Sequence, residues 1–180
     1  MKLIVWLGNP WQQYKATRHN IWATMLWRFL DWENVGVLKY DNKWKAEILT
    51  TDSFWERVIF SAPQTYMNLS GESVWPLAQF YKISADNILI LHDEIDFIVG
   101  RIAIKKWWSA AWHNWLRSII SKLWTNDFWR IRIWIWRPAT SNMVADYVLS
   151  TFKPNEKDLM DEKFDEISDF ILKFINDNEW

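Results

Sequence analysis

Seventeen tryptophans stand in a chain of 180 residues that has only four glycines. Their positions constrain the fold more than their number does. Trp11 follows Asn9-Pro10, a turn opener, and Trp32 lies between a helical pattern and a new segment. Trp55 precedes the strand-like Val58-Ile59-Phe60, and Trp124 follows an amphipathic stretch ending at Leu123. A helix commonly ends on a left-handed residue, usually glycine, because glycine has no Cβ to clash. Tight turns favour glycine for the same reason. Tryptophan has no such rationale there. One reading is a Trp-rich protein with an aromatic binding surface. The other is that most of these codons specify glycine, since UGA is read as Trp in some genetic codes and as Gly in a few. Gly8, Gly36, Gly71 and Gly100 would then be the glycines written with other codons.

Half the residues are apolar and 24% are charged, which excludes a low-complexity flexible chain. The length suits one domain, residues 1–180, with a sizeable core. No apolar run reaches the ~18 residues a membrane span needs. The N-terminus runs straight into turn chemistry and lacks a signal-peptide cleavage site. Absence of cysteine rules out disulfides and thiolate metal sites and suits a reducing cytoplasm.

Strand and helix patterns alternate. Residues 2–7, 44–50, 57–62, 87–91, 101–106 and 130–136 read as strands, and 20–31, 72–81 and 113–123 as helices. Ile21, Met25, Leu26, Phe29 and Leu30 share one helical face. Asn87–Leu91 is a continuous apolar run, the mark of a buried strand that stops before Asp93. This order predicts a single α/β domain with a mixed, largely parallel sheet flanked by helices. Apolar residues at helical spacing from Leu159 to Phe174 predict a C-terminal amphipathic helix packed on the body.

Charge is segregated along a chain whose net charge is −1. Residues 155–180 carry nine acids and three lysines, whereas 101–137 carry eight basic residues and one acid, a net of +7. A basic face of that kind suits a polyanion such as RNA. A solvated strand-helix surface is the plainer alternative.

Only three histidines are available for acid–base work: His19, His92 and His113. No zincin motif, nucleophile elbow or P-loop is present. Chelation by His92, Asp93 and Glu94 together is disfavoured, because successive strand residues point to opposite faces. His19 lies in a polar loop at a helix start. Asp93 sits where open α/β sheets place their ligands. A carboxylate there can hold an imidazole in one tautomer and stabilise its charged form. Asn9, Asn68 and Asn114 also fall in loops or at element ends, and turn chemistry or helix capping explains each one singly.

Taken together, these residues resemble the bacterial peptidyl-tRNA hydrolase family. With Trp read as Gly, Val5–Trp11 becomes V-G-L-G-N-P-G, and Thr17–Trp22 becomes T-R-H-N-I-G. Gln64–Gly71 and His92–Asp96 match without change. Lys106–Leu116 becomes K-G-G-S-A-A-G-H-N-G-L, and Arg130–Pro138 becomes R-I-R-I-G-I-G-R-P. Trp44 and Trp129 sit where the family tolerates aromatics. Converting all but Trp44, Trp129 and Trp180 moves 14 residues and leaves 18 glycines and three tryptophans, a near-ordinary composition. Ala111 departs from the family, which usually has glycine there.

The resemblance implies hydrolysis of the ester between a peptide and the 3′ end of tRNA, without metal or cofactor. His19 is then the general base, and Asp93 stabilises its charged form. Asn9 helps discriminate peptidyl from aminoacyl ester. Tyr14, Tyr66, Asn68 and Asn114 contact the peptide or the tRNA end, and His113 lies beside the cleft. Lys105 and Arg132 contact tRNA phosphates, and residues 139–152 form a mobile cover. The family expectation is a cytoplasmic monomer. Three alternatives compete: a non-catalytic RNA-binding relative, a module stacking single-stranded bases on Trp107, Trp108, Trp112 and Trp115, and a small-peptide hydrolase. The last lacks an expected nucleophile.

Overall fold

A computed structural model describes residues 1–9, 17–95, 101–107, 109–110, 113–135 and 144–177, without the side chains of 19, 67, 134, 144 and 145. Strand β1 (Lys2–Trp6) is buried at every position. It runs parallel to both β4 (Val58–Pro63) and β5 (Ile88–Glu94). A parallel strand enclosed on both faces reads as an unbroken apolar run, and β1 after Lys2 and the first half of β5 do so. Strand β5 pairs in parallel with β7 (Trp129–Trp134). The edges are antiparallel: β2 (Lys39–Asp41) on β3 (Ala46–Thr51), β3 on β4, and β6 (Ile102–Lys105) on β7. The order is β2-β3-β4-β1-β5-β7-β6, a mixed and largely parallel sheet as the alternating pattern predicts.

Helices cover both faces. Ile4 and Trp6 of β1 join a core with α1 (Ile21–Trp32) and α6 (Phe164–Ile175). Leu3, Val5 and Leu7 join a second core with α2 (Gly71–Phe80) and α3 (Asn114–Leu123). The five apolar residues expected on one face of α1 are all buried. Two short helices, α4 (Val144–Val148) and α5 (Pro154–Glu162), precede α6.

One expectation needs correction, and two features add to the sequence reading: the expected C-terminal helix is present as α6 but preceded by α5, and β2 is new. The apolar run does not end β5, because the ladder to β7 continues through Asp93↔Ile133 and Glu94↔Trp134. Asp93 therefore lies inside the strand. The C-terminal amphipathic segment is two helices divided at Lys163, although neither Gly nor Pro marks the break. Strand β2 had no sequence signal. It is three residues long and exists by pairing with β3.

The tryptophans divide by environment. Trp124 caps α3 in the left-handed conformation (φ 56°, ψ 23°), and Trp107 is also left-handed (φ 58°). At the end of α1 the left-handed residue is Asn34 rather than Trp32. Trp32, Trp55 and Trp124 are 76%, 96% and 91% exposed, so their indoles bury little surface. Trp6, Trp22 and Trp115 are in the core, where only packing governs them. The Nε1 of Trp22 is buried with no hydrogen-bond partner among the described residues. Trp44 is buried against Phe80 and Tyr81, and Trp129 lies under Lys106. Trp11, Trp108, Trp112, Trp136 and Trp180 lie outside the described residues, as do Ala111 and the first part of the expected cover.

Glycine is indispensable at the α2–α3 contact. The Gly71 amide donates to Ser118 Oγ at 2.9 Å, and a Cβ at Gly71 would stand 2.4 Å from the Ser118 carbonyl oxygen. The helices are thus as close as their backbones allow. Gly71→Ala is expected to lower unfolding free energy by about 1–3 kcal/mol through overpacking, read from urea denaturation. An unchanged midpoint would contradict this contact.

Candidate active site

Parallel strands β4, β1, β5 and β7 bring their carboxyl ends to one edge of the sheet. Open α/β sheets bind ligands at such an edge, where chains leave in opposite directions. Gly8 and Asn9 follow β1, Tyr66 and Asn68 follow β4, and Asp93 and Glu94 close β5. These sequence-distant residues lie at one edge because β4, β1 and β5 run parallel.

Asn9 is held by its main chain. Its N–H donates to Asn20 Oδ1 at 2.6 Å, and Asn20 Nδ2 donates to the Asn9 carbonyl at 2.8 Å. Asn20 is buried and sits so close that a Cβ on Gly8 would stand 3.1 Å from its Oδ1. His19 belongs to the 3-10 turn Arg18–Asn20 that leads into α1. Its side chain lies outside the described residues, and so does all of Tyr14.

Asp93 is fully buried, and its Oδ1 lies 3.0 Å from Nε2 of His113, itself buried. His113 is the N-cap residue of α3, so the start of that helix is bound to the end of β5. His92 Nδ1 lies 2.8 Å from the Asp93 carbonyl oxygen and therefore donates to it. The two imidazoles meet edge to face, with centroids 5.0 Å apart. Burial, and then the neighbouring His113, push His92 well below its ordinary pKa of 6.5. His92 is thus neutral at pH 7, and Asp93 supplies the carboxylate of the cluster.

Arginines complete this end of the sheet. Glu94 Oε2 accepts from Arg132 Nη1 at 2.8 Å. Arg130 is buried, donates to the carbonyls of Ser109 (3.2 Å) and Asn126 (3.4 Å), and lies over the Phe128 ring. Burial, then the charge of Arg132, push Arg130 down to about 10. The basic surface is thus narrower than the charge count suggests. Arg130 is interior, Arg132 is bridged to Glu94, and Lys106 is paired with Asp86. Arg101, Lys105, Arg117 and Lys122 are exposed. Tyr66, Asn68 and Asn114 are exposed as well, and Asn114 Oδ1 lies 3.4 Å from Arg117 Nη1.

Comparison with known proteins gives this arrangement a family. The peptidyl-tRNA hydrolase family model matches residues 3–179. The chain belongs to the peptidyl-tRNA hydrolase family. It is 36% identical to peptidyl-tRNA hydrolase of Lawsonia intracellularis over 178 residues, 98% of this chain and 88% of that one. It is 43% identical to that of Bdellovibrio bacteriovorus over 174 residues, 96% and 88% of the two chains. The crystal structure of peptidyl-tRNA hydrolase from Acinetobacter baumannii superposes with a TM-score of 0.91 at 35% identity, covering 98% of this chain and 89% of that one.

For this peptidyl-tRNA hydrolase family member, sequence reading missed the Asp93–His113 contact and the clamp of Asn20 on Asn9. Asn20 had a weak signal, being the last residue of the Thr17-Arg18-His19-Asn20 block. The resemblance placed His113 beside the cleft, but nothing in the sequence tied it to Asp93. Its contact with Asp93 spans 20 residues.

The buried neutral His92 makes stability pH-dependent. Its folded-state pKa lies below 6.5, so as pH falls the unfolded chain takes up the proton first. Stability from this site is therefore full above about pH 6.5 and is lost as pH falls below it. His92→Gln is expected to flatten the fall in unfolding free energy below that pH, by at most about 1.4 kcal/mol per pH unit. Equal slopes for the two proteins would contradict a neutral buried His92.

Proposed function

We propose that the protein hydrolyses the ester joining a peptide to the 3′ end of tRNA and releases the tRNA for reuse. The observation that carries the reading is a buried carboxylate, Asp93, near the carboxyl end of β5, at the sheet edge where Asn20 of the His19 turn binds Asn9. In the proposed reaction His19 takes a proton from the attacking water. The water oxygen adds to the ester carbonyl, and the bond to the tRNA 3′ oxygen breaks. That oxygen leaves with a proton, so a free acid and a free hydroxyl result. Asp93 favours the charged imidazole on His19, and His113 holds the Asp93 carboxylate in place.

The remaining site residues fit binding roles. Asn9, fixed by Asn20, is the candidate for telling peptidyl from aminoacyl ester. Tyr14, Tyr66, Asn68 and Asn114 are assigned to the peptide or the tRNA end, and His113, expected beside the cleft, acts through its contact with Asp93. Single-stranded ends are read by stacking and base-edge contacts, which suits the exposed Tyr66 ring. Lys105 is exposed and is the better candidate for a phosphate contact. Arg132 shares that role with its bridge to Glu94. The chemistry draws on side chains alone, and the protein is read as a metal-independent cytoplasmic monomer. Among the described residues no helix is long and apolar enough to cross a membrane.

His19→Ala is expected to lower the rate of ester cleavage by about 10²–10⁴-fold, the usual contribution of a general base. Equal rates would favour a non-catalytic RNA-binding relative instead.

The tryptophans belong to the same proposal. Fourteen of them are read as glycines whose codon is decoded as Trp. Left-handed backbone at Trp107 and Trp124, exposed indoles at Trp32 and Trp55, and the unpartnered Nε1 of Trp22 support this. A left-handed non-glycine residue costs about 1–2 kcal/mol, and a buried N–H without a partner about 1–3 kcal/mol. The coding DNA is expected to carry TGA at positions 6, 107, 108 and 112. The glycine-bearing chain is expected to be soluble and to cleave peptidyl-tRNA, and the literal chain to be insoluble or inactive. TGG at those codons, or an active literal chain, would overturn this part.

A further inference from the structure

Arg18 immediately precedes His19 and is buried, with 3% of its surface exposed. Both terminal nitrogens of its guanidinium are engaged by a segment more than 130 residues later. Nη1 donates to Ser150 Oγ at 2.5 Å and to the Thr151 carbonyl at 2.6 Å, and Nη2 donates to Glu156 Oε2 at 2.5 Å. The planar group also lies 4.4 Å from the Tyr147 ring centroid and 5.3 Å from that of Phe152. The main chain follows the same course. The Arg18 N–H donates to the Ser150 carbonyl at 3.0 Å, and Thr17 bridges Thr151.

The partners are themselves anchored. Tyr147 Oη donates to the Ile135 carbonyl just past β7, and Glu156 Oε2 also accepts from the Lys153 N–H that opens α5. One carboxylate thus caps a helix and holds Arg18. On the other side of His19, Asn20 is tied to Asn9. His19 is therefore flanked by two fixed residues, one bound to the loop after β1 and one to the C-terminal strap. Burying an arginine is costly unless its planar fork finds acceptors, and here Nη1 and Nη2 do while Nε has none among the described residues. An apolar residue would fill the same space without that cost, so the fork has a task beyond packing.

We propose that Arg18 is a positioning residue: Ser150 and Thr151, between α4 and α5, together with Glu156 in the first turn of α5, set the orientation of the His19 turn. This rests on the reading of His19 as general base. Misplacing a reacting group by about 1 Å costs about 10²-fold in rate, so kcat, more than KM, should respond.

The test compares Arg18→Met, Arg18→Lys, Glu156→Gln and His19→Ala in the glycine-bearing full chain, at a temperature well below each melting point. Arg18→Met is expected to lower kcat about 10- to 100-fold with KM changed less than about threefold. Arg18→Lys should recover only part of the loss, because an ammonium cannot replace the fork. Glu156→Gln should give a smaller loss of kcat, since Ser150 and Thr151 still accept. A folded Arg18→Met protein with unchanged kcat, beside an inactive His19→Ala protein, overturns the inference and leaves the general-base reading standing. An active His19→Ala protein overturns both. If Arg18→Met does not fold, Glu156→Gln decides, and unchanged kcat in that folded variant overturns the proposal. A lower melting temperature with unchanged kcat marks a purely structural clamp and has the same consequence.

Discussion

Parallel pairing of β1 with β4 on one side and β5 on the other is the constraint on which the rest depends. Every residue of β1 is buried, so its N–H and C=O groups have no water and must be met by neighbouring strands. That requirement sets the order of the sheet centre and aligns the carboxyl ends of its strands. Helices α1 and α6 then cover one face, and α2 and α3 the other, because successive side chains alternate between the two. The Gly71 contact draws α2 and α3 together, and α3 brings His113 to Asp93.

The end of β5 concentrates polar groups in an apolar setting. His92, Asp93 and Glu94 are all buried, and so are His113 and Arg130. Such groups are tolerable only when matched by opposite charge or hydrogen bonds. Asp93 meets His113, Glu94 meets Arg132, and Arg130 meets two carbonyls. Keeping His92 neutral avoids placing a further charge beside Arg130. A cluster of this kind holds its members in fixed geometry.

Strand order along the chain, the apolar face of α1 and the strand propensity of β1 and β5 were legible because each is a local pattern with a fixed period. Polar ends to apolar strands were less so. The run Ile88–Leu91 looks complete, yet β5 continues through Asp93 and Glu94 because β7 extends alongside it. The break at Lys163 was invisible for a related reason: no breaker residue marks it, and both flanking helices keep their apolar spacing. In the site, motif resemblance marked Asn9, His19, Asn68, Asp93 and Asn114. The partners that hold them, Asn20 on Asn9 and His113 on Asp93, needed distances between residues far apart in the chain.

The sequence by itself determined the class of fold and the family. These follow from periodicity and from motif order, both local properties. Only the tertiary structure decided which basic residues face solvent and which are enclosed. Arg130, Arg132 and Lys106 count equally with Lys105 in a charge sum, yet the fold buries the first and pairs the next two with Glu94 and Asp86. Burial and ion pairing depend on what lies across the sheet or beyond a helix. That is fixed by long-range packing, and no spacing within a single segment records it.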